Sequence, residues 1–230
     1  SANHIFDITV GYDEASSLYN TSNTQNTKKT NLYNQFAQLL LGYTSSTTDS
    51  IRKFESDLSL DGTGTMNDIF FLSLSRLLTK DQIKRNSVSI VVGTGSYATP
   101  MTSLVTLTDA SASYGTNGGV ATTNGGDYGV LYTSGNIAHG VVFYQAGIIA
   151  LSSSILAGVT AVGTSGSNDV EAVLTGSSIS GACDALRHRI NNISFNNTTE
   201  INSTIYFCRV PHNKFNYSSN PTYVTGSKLR

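Results

Sequence analysis

The chain has 230 residues and a formal net charge of −1, and only 13% of its residues are charged, about half the usual share. Nucleic-acid binding needs a concentrated positive surface, whereas the basic clusters here are short and mixed with polar or acidic residues. No stretch reaches the roughly 18 consecutive apolar residues of a membrane span. We therefore expect neither nucleic acid nor a membrane as a partner.

Serine and threonine together make up roughly a quarter of the chain, and asparagine and glycine are also abundant. These residues favour turns and β-structure over helix. Hydrophobic residues still total 39% and recur in short runs, which argues against disorder. We expect one structural domain over residues 1–230, with a polar and weakly charged surface of the kind that neighbouring subunits cover in an assembly.

The first half of the chain contains several predicted elements. Residues 4–12 alternate between apolar and polar, which indicates a half-buried strand. Thr30 suits a helix N-cap and precedes apolar residues at helical spacing, which predicts a helix from about 31 to 41. The apolar runs 69–78 and 87–92 predict two strands joined by a charged turn. The stripe predicted to face the core is Leu32, Phe36, Leu39, Leu40 and Tyr43.

The middle of the chain is rich in glycine. Within residues 93–129, only Leu104–Thr108 is predicted to be a strand, and the near-repetitive TNGGVATTNGGDYG (116–129) is predicted to be a surface loop. A short strand is expected at 130–133. The almost continuous apolar run 141–151 predicts a central strand that is covered on both faces.

The last part of the chain is predicted to hold a helix at about 178–191, one or two strands within 192–210, and an extended tail from about 211. Cys183 and Cys208 are expected to be buried free thiols, because two cysteines make no disulfide framework. The predicted fold is α+β: mainly antiparallel β-sheet with two short amphipathic helices and long Gly/Ser/Thr/Asn-rich loops.

Motifs for catalysis are missing from the sequence. It contains no nucleophile elbow, no phosphate-binding loop, no H-E-x-x-H and no C-x-x-C. Asp57, Asp61 and Asp68 share a glycine-containing loop that faintly resembles an oxygen-rich calcium loop, but the spacing is not that of an EF-hand. We therefore expect no enzymatic activity, no cofactor and no metal site.

Two regions near the C-terminus are candidate protein interfaces. Arg187 and Arg189 flank His188 on the polar side of the second predicted helix, where a solvated or interface face is expected. Aromatic residues recur along an extended Asn/Ser-rich run, as in segments that bind by β-augmentation or in a groove. Alternatively, this tail folds back on its own sheet. The predicted interface residues are Phe207, Phe215, Tyr217, Tyr223, Arg187 and Arg189.

Five blocks of the chain carry a resemblance to a known family. They are HIFDITVGY (4–12), NLYNQFAQLLLGY (31–43), IFFLSLSRLLTKDQIKR (69–85), VFYQAGIIAL (142–151) and ACDALRHRINNISFNNTTEINSTIYFCR with HNKFNYSSNPTY behind it (182–223). Together they resemble virion structural proteins of contractile-tailed, T4-like bacteriophages, particularly phages of marine cyanobacteria. The stretch FNYSSNPTY is the most specific part of this resemblance.

The resemblance implies a structural place in the particle, in the tail or baseplate, with many copies in a symmetric assembly. It implies no catalytic residues. Family members continue past the position of Arg230 with another strand-rich segment, so a fragment of a longer protein is one expectation. The implied partners are copies of the chain and other virion structural proteins, and the implied location is the virion, assembled in the host bacterial cytoplasm.

Three alternatives stay open at this stage. One keeps the virion and makes the chain a capsid decoration or head–tail joining protein. Another is a carbohydrate- or receptor-binding module, although the absence of tryptophan argues against the usual sugar-stacking platform. The third is a cell-wall hydrolase carried by the particle, which no motif supports.

Overall fold

The computed structural model describes residues 4–19, 24–44, 50–112, 119–159, 169–175, 178–209, 224–225 and 228–229. The chain divides into two units, Ser1–Thr199 and Glu200–Arg230.

The first unit is built on a nine-stranded sheet whose neighbouring strands all pair antiparallel. In sheet order the strands are β1 (Phe6–Tyr12), β2 (Asp68–Leu74), β9 (Ile148–Ser152), β8 (Ala138–Phe143), β7 (Gly126–Tyr132), β5 (Leu104–Thr108), β4 (Ser89–Gly93) and β10 (Ile190–Ser194), and β6 (Ala121–Thr123) pairs with β7. Two further pairs are β3 (Gln82–Ile83) with β11 (Asn197–Thr198), and, in the second unit, β12 (Val224–Thr225) with β13 (Lys228–Leu229).

The described α-helices are α1 (Thr24–Leu40), α2 (Arg76–Thr79), α3 (Val170–Thr175) and α4 (Ile179–Arg187), with 3₁₀ turns at Pro100–Thr102 and Ser153–Leu156. Ser178 caps α4, since its hydroxyl accepts a hydrogen bond from the Gly181 N–H at 3.1 Å. The outcome is a β-rich α+β fold, as the sequence predicts.

Both faces of the central strands are buried. Along β2, Phe70 and Leu72 pack on the face that α3 and α4 cover, while Ile69 and Phe71 pack on the face that α1 covers. Burying a side chain of this size contributes roughly 1.5–3 kcal/mol. This double burial explains why β2, β8 and β9 are almost continuously apolar and do not alternate with polar residues.

Aromatic rings organise the α1 face of the sheet. Phe71 stacks on Phe36 with ring centres 4.3 Å apart, and it also contacts Phe54 at 5.4 Å. The Tyr33 hydroxyl donates to the Met66 carbonyl at 3.0 Å, which satisfies its polar end inside this apolar layer. Ring packing therefore joins the helix to the sheet, and two buried hydrogen bonds of Tyr33 join the helix to the segment before β2.

The structure confirms several elements and corrects others. The strands predicted at 4–12, 87–92 and Leu104–Thr108 are β1, β4 and β5, and the helix predicted at 178–191 is α4, which ends at Arg187. The run 69–78 is predicted to be one strand, but β2 ends at Leu74 and the short helix α2 follows it.

Helix α1 begins at Thr24, earlier than predicted, and Thr30 lies inside it. The Thr30 hydroxyl donates to the Asn26 carbonyl at 3.4 Å and does not cap the helix. The buried stripe is also different, because Leu39 is 65% exposed. The residues of α1 that are buried are Asn26, Lys29, Thr30, Tyr33, Ala37 and Leu40.

The polar start of α1 lies before the predicted helix but packs closely on β1. Gly11 makes this approach possible: a Cβ at that position would lie 2.8 Å from the Tyr33 nitrogen and 2.9 Å from the Lys29 carbonyl oxygen. Tertiary contact with the sheet therefore sets the length of α1 and overrides the weak local preference of its first turns.

Two predictions in the middle of the chain are wrong. The run 141–151 is not one strand: β8 and β9 form a hairpin, with Phe143 opposite Ile148 and Gly147 at φ 68° in the turn. The stretch 116–129 is not only a surface loop, because its described part forms β6 and the start of β7 around Asn124-Gly125. An Asn-Gly pair is a strong hairpin signal, and the sequence prediction overlooked it.

The strands predicted within 192–210 are present only in part. Strands β10 and β11 end at Thr198, and residues 199–209 have no regular secondary structure. The tail predicted to be extended from about 211 lies mostly outside the described residues, but β12 and β13 pair within it.

Candidate interaction surfaces

The two arginines predicted at an interface lie in opposite environments. Arg187 is exposed in the last turn of α4 and forms an ion pair with Asp184, with Nη2 and Oδ1 2.8 Å apart. Arg189 is fully buried, and its Nη1 donates to the carbonyls of Gly93 at 3.1 Å and Gly95 at 2.9 Å. Arg189 therefore fastens the end of β4 to the start of β10 and does not lie on the exposed face predicted for it.

Desolvation by burial lowers the pKa of the Arg189 guanidinium from its ordinary value. The two backbone carbonyls compensate part of this cost by accepting charge-assisted hydrogen bonds. Sequence reasoning missed this role, since a polar helix end containing Arg187 and Arg189 predicts two exposed cations. Only the return of the chain into β10 turns the second arginine inward.

Of the four aromatic residues predicted to contact partners, Phe207 lies in the described part of the chain and is 92% exposed. Phe215, Tyr217 and Tyr223 lie outside the described residues. Their interface role stays a prediction.

Phe207 belongs to a segment that we call the arm, residues 200–209. The arm contains neither helix nor strand, and all its side chains are exposed. Its large hydrophobic side chains are Ile201 (89% exposed), Ile205 (73%), Tyr206 (84%) and Phe207 (92%). A concentration of exposed apolar side chains of this kind is typical of a protein–protein binding surface.

The composition of the arm suits a β-strand. Residues 203–209, STIYFCR, are rich in β-branched and aromatic side chains, which favour a pleated and half-buried environment. A strand also needs a neighbour for its backbone N–H and C=O groups. The structure shows no strand pairing for residues 200–209 with any other described residue. The arm is therefore a strand-forming sequence that pairs with no strand among the described residues.

A gap in the sheet between β5 and β7 forms a second surface. These two strands pair at a single position, Thr108 opposite Tyr132. Past Tyr132 the chain turns back into β8, and the Thr133 N–H donates to the Ile137 carbonyl at 3.0 Å to close the turn. Most of β5 consequently has a described partner strand on its β4 side alone.

The backbone of β5 can be oriented from the hydrogen bonds of β4. The Gly93 N–H donates to the Arg189 carbonyl at 2.7 Å, so Gly93 points away from its β5 neighbour, Leu104. Directions alternate along an antiparallel ladder, so Leu104 and Thr106 point their N–H and C=O groups away from β4 and toward the gap.

The gap opens into a cleft of about 410 Å³, which we call the β5 cleft. Its lining residues are Leu104, Val105, Thr106, Thr133, Ser134, Ile137, His139 and Ile155. Leu104 is 50% exposed and Ile137 is 59% exposed, so the mouth of the cleft is apolar. The β5 cleft thus combines open backbone groups with exposed hydrophobic side chains.

One histidine–serine pair borders this cleft. His139 Nδ1 lies 3.0 Å from the Ser154 hydroxyl, and burial lowers the pKa of His139. A nucleophilic triad also needs a carboxylate that orients the imidazole through its other nitrogen. No described carboxylate hydrogen-bonds to His139, so the described residues do not assemble a triad there.

In the acidic loop that faintly resembles a calcium site, the carboxylates accept hydrogen bonds from residues of the same loop. Asp57 Oδ1 accepts from the Ser59 N–H and hydroxyl, both at 2.9 Å. Asp61 Oδ1 accepts from the Thr63 N–H at 2.9 Å. Asp68 lies apart from them in sequence, in β2. In the part of the chain that the structure describes, no group of three or more His, Cys, Asp or Glu residues could hold a metal ion.

A buried lysine on α1 was not predicted from the sequence. Lys29 is fully buried, its Nζ donates to the Leu174 carbonyl on α3, and it lies 6.0 Å from the centre of the Tyr12 ring. Burial lowers the pKa of this amine. Its helical spacing from Tyr33 was the available signal, but a lysine in a polar run reads as exposed. Lys29 holds α3 to α1 across the edge of the sheet.

A cavity of about 350 Å³ lies beside α3, between the loop after β1 and the 3₁₀ turn after β9. Asp68, Asp169 and several serines contribute to its lining. Its described lining contains no histidine, cysteine or basic side chain, but the hydroxyl of its lining residue Ser154 is the one that lies 3.0 Å from His139 Nδ1.

No protein-family model, no curated protein and no solved structure matches this chain. Among the described helices, none is both long enough and apolar enough to cross a membrane.

Proposed function

We propose that this chain is a non-enzymatic structural subunit, which assembles with copies of itself and with other proteins through its arm. The observation that carries this proposal is the exposure of Ile201, Ile205, Tyr206 and Phe207, which is 73–92%. Burying four such side chains is worth roughly 6–12 kcal/mol before the cost of ordering and association. A partner that covers the arm supplies this stabilisation, whereas water does not.

The proposed assembly is the particle of a contractile-tailed bacteriophage, with the chain in the tail or baseplate. The resemblance of the five sequence blocks supports this location. The low share of charged residues, 13%, is consistent with a surface that neighbouring subunits cover. The proposed partners are copies of the chain and other virion structural proteins, brought together in the host bacterial cytoplasm.

The test of arm-mediated assembly is sedimentation velocity over a range of concentrations. The arm variant replaces Ile201, Ile205, Tyr206 and Phe207 with serine. A matched control replaces Leu39 and Leu77, which are 65% and 84% exposed but lie outside the arm, with serine. We expect the wild-type chain and the control to associate as concentration rises, and the arm variant to stay monomeric.

Circular dichroism and thermal unfolding of the same proteins check that the arm variant keeps the fold. If the arm variant sediments like the wild type, the arm is not the assembly surface and the proposal fails.

The location is tested separately by mass spectrometry of gradient-separated tails and heads. Enrichment with tails is the expected result. Enrichment with heads would move the chain to the capsid, as a decoration or head–tail joining protein. Absence from every particle would contradict the virion part of the proposal, while the sedimentation result on self-association would stand.

A further inference from the structure

We propose that the arm of one copy adds as a strand to the β5 cleft of a second copy. This inference rests on the proposed function, because it takes the arm as the assembly contact and names the surface that receives it. The chain contains a strand-forming segment with no described strand partner, and it also contains a strand, β5, with an open edge. Strand addition gives each of them the backbone hydrogen-bond partner that it needs.

The backbone groups are complementary. Leu104 and Thr106 together point two N–H donors and two C=O acceptors toward the cleft, which is what an added strand requires. Thr108 continues the same row but already faces Tyr132. The open edge is therefore short, and the added strand must be short as well. The β-favouring part of the arm, residues 203–209, has a suitable length.

The side chains are complementary too. Ile205 and Phe207 are two residues apart, so in a strand they point to the same face. The cleft offers Leu104 and Ile137 at its mouth, both at least half exposed. Pairing apolar side chains from both copies removes these surfaces from water at the same time.

Charge does not oppose the contact. The lining of the β5 cleft contains no Asp, Glu, Lys or Arg, and the stretch from Ile201 to Cys208 is also uncharged. Association through this contact should consequently depend little on salt, in contrast with one driven by charged patches.

The edge of the sheet at β10 is less suitable. Strand β10 has an irregular register between Ile190 and Asn192, and polar asparagines are exposed along it. Bulges and polar residues are devices that prevent strand addition at an edge.

Reciprocal exchange accounts for a stable pair. Buried aromatic side chains contribute about 150–250 Å² each, so two arms with a Tyr and a Phe supply roughly 600–1,000 Å² from their rings alone. The isoleucines of both arms and the apolar mouths of both clefts add to this area. Together these areas add toward the range of about 1,200–2,000 Å² that specific interfaces bury. Two identical exchanges close on a two-fold axis.

The test uses two variants of one residue. Thr106→Pro removes an N–H that points into the cleft and leaves the ladder between β4 and β5 intact, whereas Thr106→Val keeps that N–H. In sedimentation experiments on the full chain, we expect Thr106→Pro to raise the Kd of self-association about tenfold or more. Thr106→Val should associate like the wild type.

Complementation then separates a lost contact from a folding defect. The arm variant keeps an intact cleft, and Thr106→Pro keeps an intact arm. The arm variant should stay monomeric alone and Thr106→Pro should associate only weakly alone, but an equimolar mixture should form a pair through one arm and one cleft. A mixture that stays monomeric would overturn the inference.

The outcomes also separate this inference from the proposed function. If the arm variant is monomeric while Thr106→Pro associates normally, the arm is the contact but the β5 cleft is not its acceptor. If the arm variant still associates, both proposals fail. Cys208 provides an independent readout, because it lies in the arm and is an exposed free thiol. Its modification by a thiol reagent should slow on association in the wild type and not in Thr106→Pro.

Discussion

The β8–β9 hairpin and the arm have similar sequences but lie in opposite environments. Both contain runs of β-branched, aliphatic and aromatic residues, and both are predicted to be strands. The hairpin lies at the centre of the sheet, with partners on either side and apolar layers on both faces. The arm has no described strand partner and is exposed to water. Strand-forming sequence is therefore not sufficient, because a strand exists only where a neighbour accepts its hydrogen bonds.

Two phenylalanines show the same contrast at the level of one side chain. Phe71 is 1% exposed within the aromatic cluster on the α1 face, and Phe207 is 92% exposed in the arm. The first is part of the folding energy of the chain. The second contributes free energy only when a partner covers it.

The largest expected effect comes from truncating Phe71, the buried phenylalanine of this pair. Phe71→Ala should lower the free energy of unfolding by about 3–5 kcal/mol, because it leaves a cavity among Phe36, Tyr33 and Phe54. Phe207→Ala should change it by no more than about 0.5 kcal/mol. Urea unfolding at a concentration where the chain is monomeric measures both. Equal losses for the two variants would show that the arm packs on its own chain.

An intermediate effect is expected from the neighbouring arginines. Arg189→Met should cost about 2–3 kcal/mol, because the buried carbonyl of Gly93 and the part-buried carbonyl of Gly95 lose their donor. Arg187→Ala is the matched control and should cost less than about 0.5 kcal/mol, since its ion pair with Asp184 is exposed. Urea unfolding of both variants checks this difference. A larger cost for Arg187→Ala would place the structural cation two residues earlier in the chain.

The smallest effect concerns a buried carboxyl beneath the β5 side of the sheet. Asp109 accepts hydrogen bonds from the Val88 N–H at 2.9 Å, the Asn86 N–H at 2.8 Å and the Tyr144 hydroxyl at 3.0 Å. Burial nevertheless raises the pKa of Asp109. Asp109→Asn should cost about 1 kcal/mol at neutral pH, because an amide cannot accept on both sides.

The pH dependence of this variant follows from the sign of the shift. A carboxyl whose pKa is higher in the folded chain binds its proton more tightly there than in the unfolded chain. That stabilisation is present below the unfolded pKa, about 3.9, and is lost as pH rises through the folded pKa. The advantage of the wild type over Asp109→Asn should therefore be larger at pH 4 than at pH 7. A growing advantage with rising pH would mean that the hydrogen bonds outweigh burial.

Much of the fold could be predicted from local pattern. The alternation in β1, the isolated strand at Leu104–Thr108 and the amphipathic helix α4 each carry their own signal. Helix α1 could not be bounded in this way, since its first turns are polar and become buried only against β1. The β8–β9 hairpin was also hidden, because a run that is apolar throughout does not show where it reverses.

The candidate surfaces divide in the same way. The apolar side chains of the arm are visible in the sequence, and Phe207 was predicted among the interface residues. The β5 cleft was not predictable, because it depends on where β7 leaves β5 after Tyr132. Arg189 illustrates the limit most directly: its charge predicts exposure, and only the path of the chain into β10 buries it.

Local sequence sets which segments can form strands and helices, since hydrophobic period and residue shape act over a few neighbouring residues. It also sets the low charge and the aromatic content of the C-terminal part of the chain. The folded chain sets which strands obtain partners, which polar groups are buried and where the sheet stays open. Those outcomes depend on hydrogen bonds and packing between residues far apart in the chain, and no local pattern contains them.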